Sequence, residues 1–223
     1  KIKDGDFMKK FMALLLVAGM TLSLTACGGS TDTAKTDQAD GKDTFTVGFD
    51  QDFPPFGYVG DDGEFTGFDI EMATECAARM GKKIVLQPID WDAKDMELEA
   101  GTIDCIWNGF TMNGREDQYT WTDPYMDNSQ VVVVKKDSGI NTLADLAGKV
   151  VEVQKESAAE TALNDEEHAD LMASFAQLLS VGEYNTAFMD LESGAVDAVA
   201  IDIGVAQFQI EGKEDQYQIL DET

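Results

Sequence analysis

The stretch Met96-Glu-Leu-Glu-Ala-Gly101-Thr-Ile-Asp104-Cys-Ile-Trp107 returns 93 residues later as Met189-Asp-Leu-Glu-Ser-Gly194-Ala-Val-Asp197-Ala-Val-Ala200. Each copy reads as the end of an amphipathic helix, a glycine suited to a left-handed C-cap, and a short apolar strand. One such unit is an ordinary link between helix and strand. Two of them, each within about 90 residues of alternating strand and helix signals, predict two similar α/β lobes instead of one sheet. Two lobes leave a cleft between them.

Working outward from the first copy, strand signals fall at Thr44 to Phe49, Lys83 to Gln87 and Ile103 to Asn108, and helix signals at Phe68 to Met80 and Ala93 to Ala100. Asp62-Gly63 marks a tight turn between Gly57-Tyr58-Val59 and Phe65-Thr66. The first lobe is expected over residues 44–128 and the second over 129–223, beginning with the apolar run Val131 to Val134. Around the second copy, Asn141-Thr142 caps a short helix ending at Gly148, and Val150 to Val153 is a strand. A helix from Ser157 to Leu163, a strand near Phe175 to Leu179 and the helix Tyr184 to Ser193 come next. The strand Val196 to Ile201, a helix from Gly204 to Ile210 and a strand from Tyr217 to Leu220 complete the pattern.

The chain has 223 residues, 43% of them apolar, enough for packed cores. Its formal charge is −27, from 16 Lys plus Arg against 43 Asp plus Glu, which excludes a nucleic-acid surface and an anionic-membrane patch. Asp61-Asp62-Gly63-Glu64 lacks the alternating oxygen-ligand spacing of a calcium loop, so no metal site is expected. No cofactor is expected either.

Residues 1–27 are a different kind of text. After seven upstream residues come Met8-Lys9-Lys10, an apolar run from Phe11 to Leu24, and Leu24-Thr-Ala-Cys27-Gly28. The run is short for a membrane span and is followed by small residues, and the segment resembles a bacterial lipoprotein signal peptide. That resemblance implies a lipid on Cys27, an extracytoplasmic location and attachment to the cell membrane. Residues 28–43, rich in Gly, Ser, Thr, Asp and Lys, form the expected tether, roughly 20–24 Å long as a coil. At the other end no closing helix follows the last strand signal. Of the remaining cysteines, Cys76 and Cys105 sit among apolar residues and are expected as buried thiols, a disulfide between them being the alternative.

In open α/β sheets ligands gather beyond the carboxyl ends of the strands. The 93-residue offset makes Gly109 and Asp202 equivalent, each just past its strand. Arg115 follows closely in Phe110-Thr111-Met112-Asn113-Gly114-Arg115, one of two arginines beside 14 lysines. A guanidinium grips a carboxylate through two parallel hydrogen bonds, although a surface charge beside Glu116 and Asp117 accounts for Arg115 equally well. Asp50-Gln-Asp-Phe53-Pro-Pro-Phe56-Gly-Tyr58 is a stiff loop with three aromatics, and Trp91 lies at the same sheet edge. Phe53 and Trp91 are the better ligand walls, Phe56 and Tyr58 the better core residues.

Five motifs then carry a resemblance: Phe53-Pro-Pro-Phe56, Gly67-Phe-Asp-Ile-Glu-Met72, Trp107-Asn108-Gly109-Phe110-Thr111 with Arg115, Trp121-Thr-Asp-Pro-Tyr125, and Val196-Asp-Ala-Val-Ala-Ile-Asp202. Over residues 44–223 the chain resembles the family 3 solute-binding proteins of ATP-driven polar amino-acid importers. The resemblance implies a two-lobe, type II periplasmic-binding-protein-like α/β fold whose C-terminal part of the first lobe is missing here. It implies capture of an L-amino acid and delivery to a transporter permease, with a monomer, no nucleic acid and no catalysis. Arg115 would hold the ligand α-carboxylate, with Thr111 and the Gly109 backbone, and Asp202 the α-ammonium. Phe53 and Trp91 would sandwich the side chain, Ser157 and the Ala158 amide would add anion contacts, and Asn108, Asp50 and Gln154 would complete the site.

Two positions depart from the pattern. The loop from Thr111 to Arg115 is one residue shorter than in many relatives, and Glu156 stands where they often carry glycine. Unless it points to solvent, Glu156 puts a negative charge near the ligand carboxylate. Two other functions share the architecture: an enzyme resembling cyclohexadienyl dehydratase and a ligand-sensing domain. The enzyme would need a cleft acid or base, and the only histidine, His168, lies in the acidic stretch Asn164-Asp-Glu-Glu-His168-Ala-Asp170.

Overall fold

Residues 42–220 are described by the structure, a computed structural model; the signal segment, Cys27 and most of the tether lie outside the described residues. Thr44–Phe49 (β1) is β-branched and aromatic, and it buries Val47 and Phe49 completely. Asp52–Phe53 (β2), Gly57–Val59 (β3) and Phe65–Thr66 (β4) form a small antiparallel sheet. Phe68–Arg79 (α1) buries Ile70, Ala73 and Ala77 on one stripe and leads into Lys83–Pro88 (β5). A 3-10 turn, Trp91–Ala93, precedes Lys94–Ala100 (α2), and Cys105–Ile106 (β6) follows. β1 lies between β5 and β6, parallel to both, with Val47 opposite Leu86 and Cys105.

The second lobe is built on Gln130–Lys135 (β7), Val150–Gln154 (β8), Ala158–Asn164 (α3) and Ala169–Ser174 (α4). Gln177–Val181 (β9), Tyr184–Ser193 (α5), Ala198–Asp202 (β10), Ile203–Ile210 (α6) and Tyr217–Ile219 (β11) complete it. The strand order is β11-β7-β10-β8-β9. β8, β9 and β10 run parallel, whereas β7 is antiparallel to β10 and β11. Both faces are covered, which is why β7 and β10 read as unbroken apolar runs. On one face Val133, Val199 and Ile201 meet Tyr184, Leu191 and Val205, together with Phe53 and Phe56 from the first lobe. On the other, Val134, Val151 and Ala200 meet Leu146, Ala159 and Leu163.

Both repeated glycines occupy the left-handed cap position, Gly101 at φ 70° and Gly194 at φ 80°. The copies differ beyond the glycine, since β6 has two residues and β10 has five, all buried. Helix α4, which starts at the end of the acidic stretch, was not legible in the sequence, and β9 begins two residues later than its apolar signal. The short helix before Gly148 is a 3-10 turn, Leu143–Leu146, with Thr142 and Asp145 forming a capping box. Cys76 and Cys105 are unpaired and half-buried, which corrects the expectation of buried thiols: α1 turns Ala73 and Ala77, not Cys76, fully inward.

Candidate ligand-binding cleft

Because β1, β5 and β6 run parallel, the residues after them, Asp50, Trp91 and Asn108-Gly109, emerge at one edge of the first lobe. β8 and β10 end in Gln154 and Asp202, and the antiparallel β7 begins opposite, with Gln130 in register with Asp202. A cavity of about 20 Å³ lies where these ends meet. From the first lobe Phe53, Trp91, Asn108, Gly109, Phe110, Thr111 and Arg115 line it, and from the second Gln154, Ser157, Ala158 and Asp202. That volume holds about one water molecule, so the walls must part to take anything larger. Asp50 alone among the predicted residues lies behind the lining. It is buried, and its Oδ2 accepts a 2.7 Å bond from Gln154 Nε2.

Arg115 is 8% exposed. Its guanidinium donates to the Thr111 carbonyl at 3.2 Å and, across the cleft, to the Glu156 carbonyl and Thr161 Oγ1, both at 3.1 Å. It lies 5.2 Å from the centre of the Phe110 ring, and Trp91, Tyr119 and Trp121 surround that ring at 5.0–5.1 Å. Among the described residues no carboxylate pairs with it. A buried guanidinium held only by neutral oxygens remains ready for an anion. The surface-charge reading of Arg115 is thereby set aside.

Three carboxyl groups sit in or behind the cleft. Asp202 accepts from Gln130 Nε2 at 2.8 Å and from Asn128 Nδ2, and burial pushes its pKa above the usual carboxylate range. Burial likewise pushes Asp50 up to about 6, against opposing bonds from the Asp52 amide and Gln154. Asp69, at the start of α1, is raised by burial to about 6 and is held by the Tyr125 hydroxyl at 2.8 Å and by the Gly109 backbone. Ser157 caps α3, its Oγ accepting from the Glu160 amide at 3.0 Å. His168 ends a separate 3-10 turn and does not line the cavity.

Glu156 does not turn its charge into the cavity. Its carboxylate accepts from Lys94 Nζ at 2.6 Å, and its backbone takes a left-handed φ of 58°. Phe110, quoted in a motif but given no role, also lines the cavity, and Lys94 and Thr161, which the sequence did not single out, hold Glu156 and Arg115 beside it. Phe110 carried a usable signal, being apolar in the loop directly after β6.

Residues 45–188 match the bacterial extracellular solute-binding proteins, family 3. The chain is 36% identical over 148 residues to the arginine-binding extracellular protein ArtP of Bacillus subtilis, spanning 66% of this chain and 56% of that one. It thus corresponds to little more than half of that relative's length. A substrate-binding protein of an ABC uptake transporter from Streptococcus pneumoniae, solved with bound histidine, superposes with TM-score 0.75 at 35% identity, covering 80% of this chain and 74% of the other. An ancestral amino-acid-binding protein described as a precursor of cyclohexadienyl dehydratase superposes with TM-score 0.73 at 28% identity, covering 81% and 78%. With two α/β lobes, a cleft at converging strand ends and a family match over most of its described body, the chain belongs to the family 3 extracellular solute-binding proteins and has their type II periplasmic-binding fold.

Proposed function

We propose that the chain captures a free L-amino acid by lobe closure and delivers it to the permease of an ABC importer, without performing chemistry on it. One observation carries this reading. Arg115, a buried guanidinium without a carboxylate partner among the described residues, and Asp202, a buried carboxylate, line one cavity. Opposite fixed charges on one apolar-walled cleft complement a zwitterion. In this reading Arg115 and Thr111 take the α-carboxylate, with Ser157, the Ala158 amide and the Gly109 backbone completing that end. Asp202 takes the α-ammonium, Phe53 and Trp91 flank the side chain, and Asn108, Gln154 and Asp50 meet its far end. The lobes are assigned to residues 44–128 and 129–223, with closure selecting the form the permease recognises. The binding proteins named among the relatives support this assignment. A lipid on Cys27 would hold a monomeric binding body at the outer face of the cell membrane.

A thermal-shift panel of the twenty amino acids, followed by calorimetry on Arg115→Ala, tests the proposal. Removing one partner of a desolvated charge pair costs about 2–5 kcal/mol, so affinity should fall at least about thirtyfold. Unchanged affinity in Arg115→Ala would remove its assigned role. Incubation with a cyclohexadienyl carboxylic acid tests the absence of chemistry, and steady turnover would overturn it.

A further inference from the structure

Glu156 is the only residue other than glycine with a positive φ among the described residues. A left-handed backbone disfavours every residue bearing a Cβ, so something must hold it there. Its amide donates to Glu160 Oε2 at 2.6 Å, which fixes the turn from the second-lobe side. Its carbonyl accepts from Arg115 Nη2 at 3.1 Å and faces Trp91 Nε1 at 3.4 Å. Its carboxylate accepts from Lys94 Nζ at 2.6 Å. One residue of the second lobe thus meets three of the first, and two of these, Trp91 and Arg115, line the cavity.

Lys94 is the unusual partner. It is 3% exposed, and its ammonium stands 5.4 Å from the centre of the Trp91 ring. Its other carboxylate neighbour, Asp95, is 4.0 Å away. A lysine so placed needs a counter-charge, and the short one comes from the opposite lobe. The adjacent pair, Lys155 and Asp92, repeats the crossing at 2.7 Å but is largely exposed, where salt screens it.

We propose that Glu156 is a positioning residue and forms with Lys94 a charged latch between the lobes. The latch holds Trp91 and Arg115 in their closed arrangement and sets how long a bound ligand stays. The statement about ligand rests on the amino-acid reading above; the latch itself does not. An incoming carboxylate would replace the Glu156 carbonyl on Arg115, while the Lys94 pair continues to tie the lobes. Opening must break that pair and leave a poorly solvated ammonium behind, so the latch acts on dissociation more than on association.

Two measurements on the full chain test it. In the first, 5-fluorotryptophan is incorporated and the Trp91 resonance is identified by Trp107→Phe and Trp121→Phe. Without any amino acid present, Glu156→Gln and Lys94→Met should each move the Trp91 signal in the same direction. A Trp91 signal that is the same in all three proteins overturns the latch. In the second, L-arginine is the probe, or the tightest binder of the twenty amino acids. Dissociation should accelerate about tenfold in either variant, with association changed less than twofold, and the double variant should be no faster than the singles. Independent, multiplying effects overturn it, as do unchanged rates. Glu156→Gly relieves the left-handed strain but leaves Lys94 without its short counter-charge, so it should speed dissociation as Glu156→Gln does, and dissociation at the wild-type rate overturns the latch. A protein that binds no amino acid removes the proposed function, and the fluorine experiment still decides the latch.

Discussion

Glu152 should destabilise the protein at neutral pH, and its replacement by glutamine should recover stability in a pH-dependent way. The residue sits in the middle of β8, opposite Val199 on one side and Leu179 on the other, in the row that packs against α5. It is 1% exposed, and its Oε2 has no hydrogen-bond partner among the described residues. Burial raises its pKa, and the negative charge of Asp190 raises it further. A buried polar atom without a partner costs about 1–3 kcal/mol, more when charged. Glu152→Gln removes the charge while keeping the shape, so a gain of about 1–2 kcal/mol is expected at pH 7, or roughly 3–6 °C in Tm. Linkage gives the sign with pH. A carboxyl whose folded pKa is raised binds its proton more tightly in the folded state, so its contribution is favourable below the ordinary value of 4.5 and is lost as pH rises through the folded pKa. Thermal unfolding at pH 4 and pH 7.5 should therefore show a small difference between the proteins at the lower pH and the full difference at the higher one. An equal gap at both values, or a glutamine variant less stable at pH 7.5, would refute the argument. Glu152→Leu should gain at least as much, since it leaves no polar group needing a partner.

Three further outcomes are expected. Leu191→Ala empties a fully buried position between α5 and the sheet and should cost about 2–5 kcal/mol by urea denaturation; less than 1 kcal/mol would mean the core collapses onto the gap. Gly194→Ala forces a side chain into φ 80° and should lower stability by about 1 kcal/mol, with little effect on ligand affinity measured by calorimetry. If an amino acid with a cationic side chain binds beside Asp50, its affinity should weaken as pH falls below about 6, where that carboxyl takes up a proton, and Asp50→Asn should abolish the dependence.

What the sequence revealed and what it concealed divide along a physical line. Local backbone chemistry was legible: Gly101 and Gly194 had to end helices, the apolar run at Val131 to Val134 became a paired strand, and so did the run at Val196 to Ile201 from Ala198 onward. The register between the two copies paired Gly109 with Asp202 at their strand ends, while Arg115, Phe53 and Trp91 came from the loops after the strands and from the family resemblance, and all five line one cavity. Contacts between lobes left no local trace. Lys94 looks like a solvated charge in the first turn of a helix, yet it is buried beside Trp91 and takes its close counter-charge from the opposite lobe. Asp50 follows a strand as a ligand group would, yet Gln154 from the other lobe claims its outer oxygen. Helix α4 was hidden for another reason, since its six residues are too few to show a helical period.

The segment that carries the chain from one lobe to the other does more than join them. Asn128 Nδ2 donates to Thr111 Oγ1 in the first lobe at 3.1 Å and also to Asp202 Oδ1 in the second. Through these two bonds the crossing segment reaches both the first lobe and a buried carboxylate of the cleft. One side chain thus ties the crossing to both lobes, which makes this segment a braced corner and not a slack tape between them.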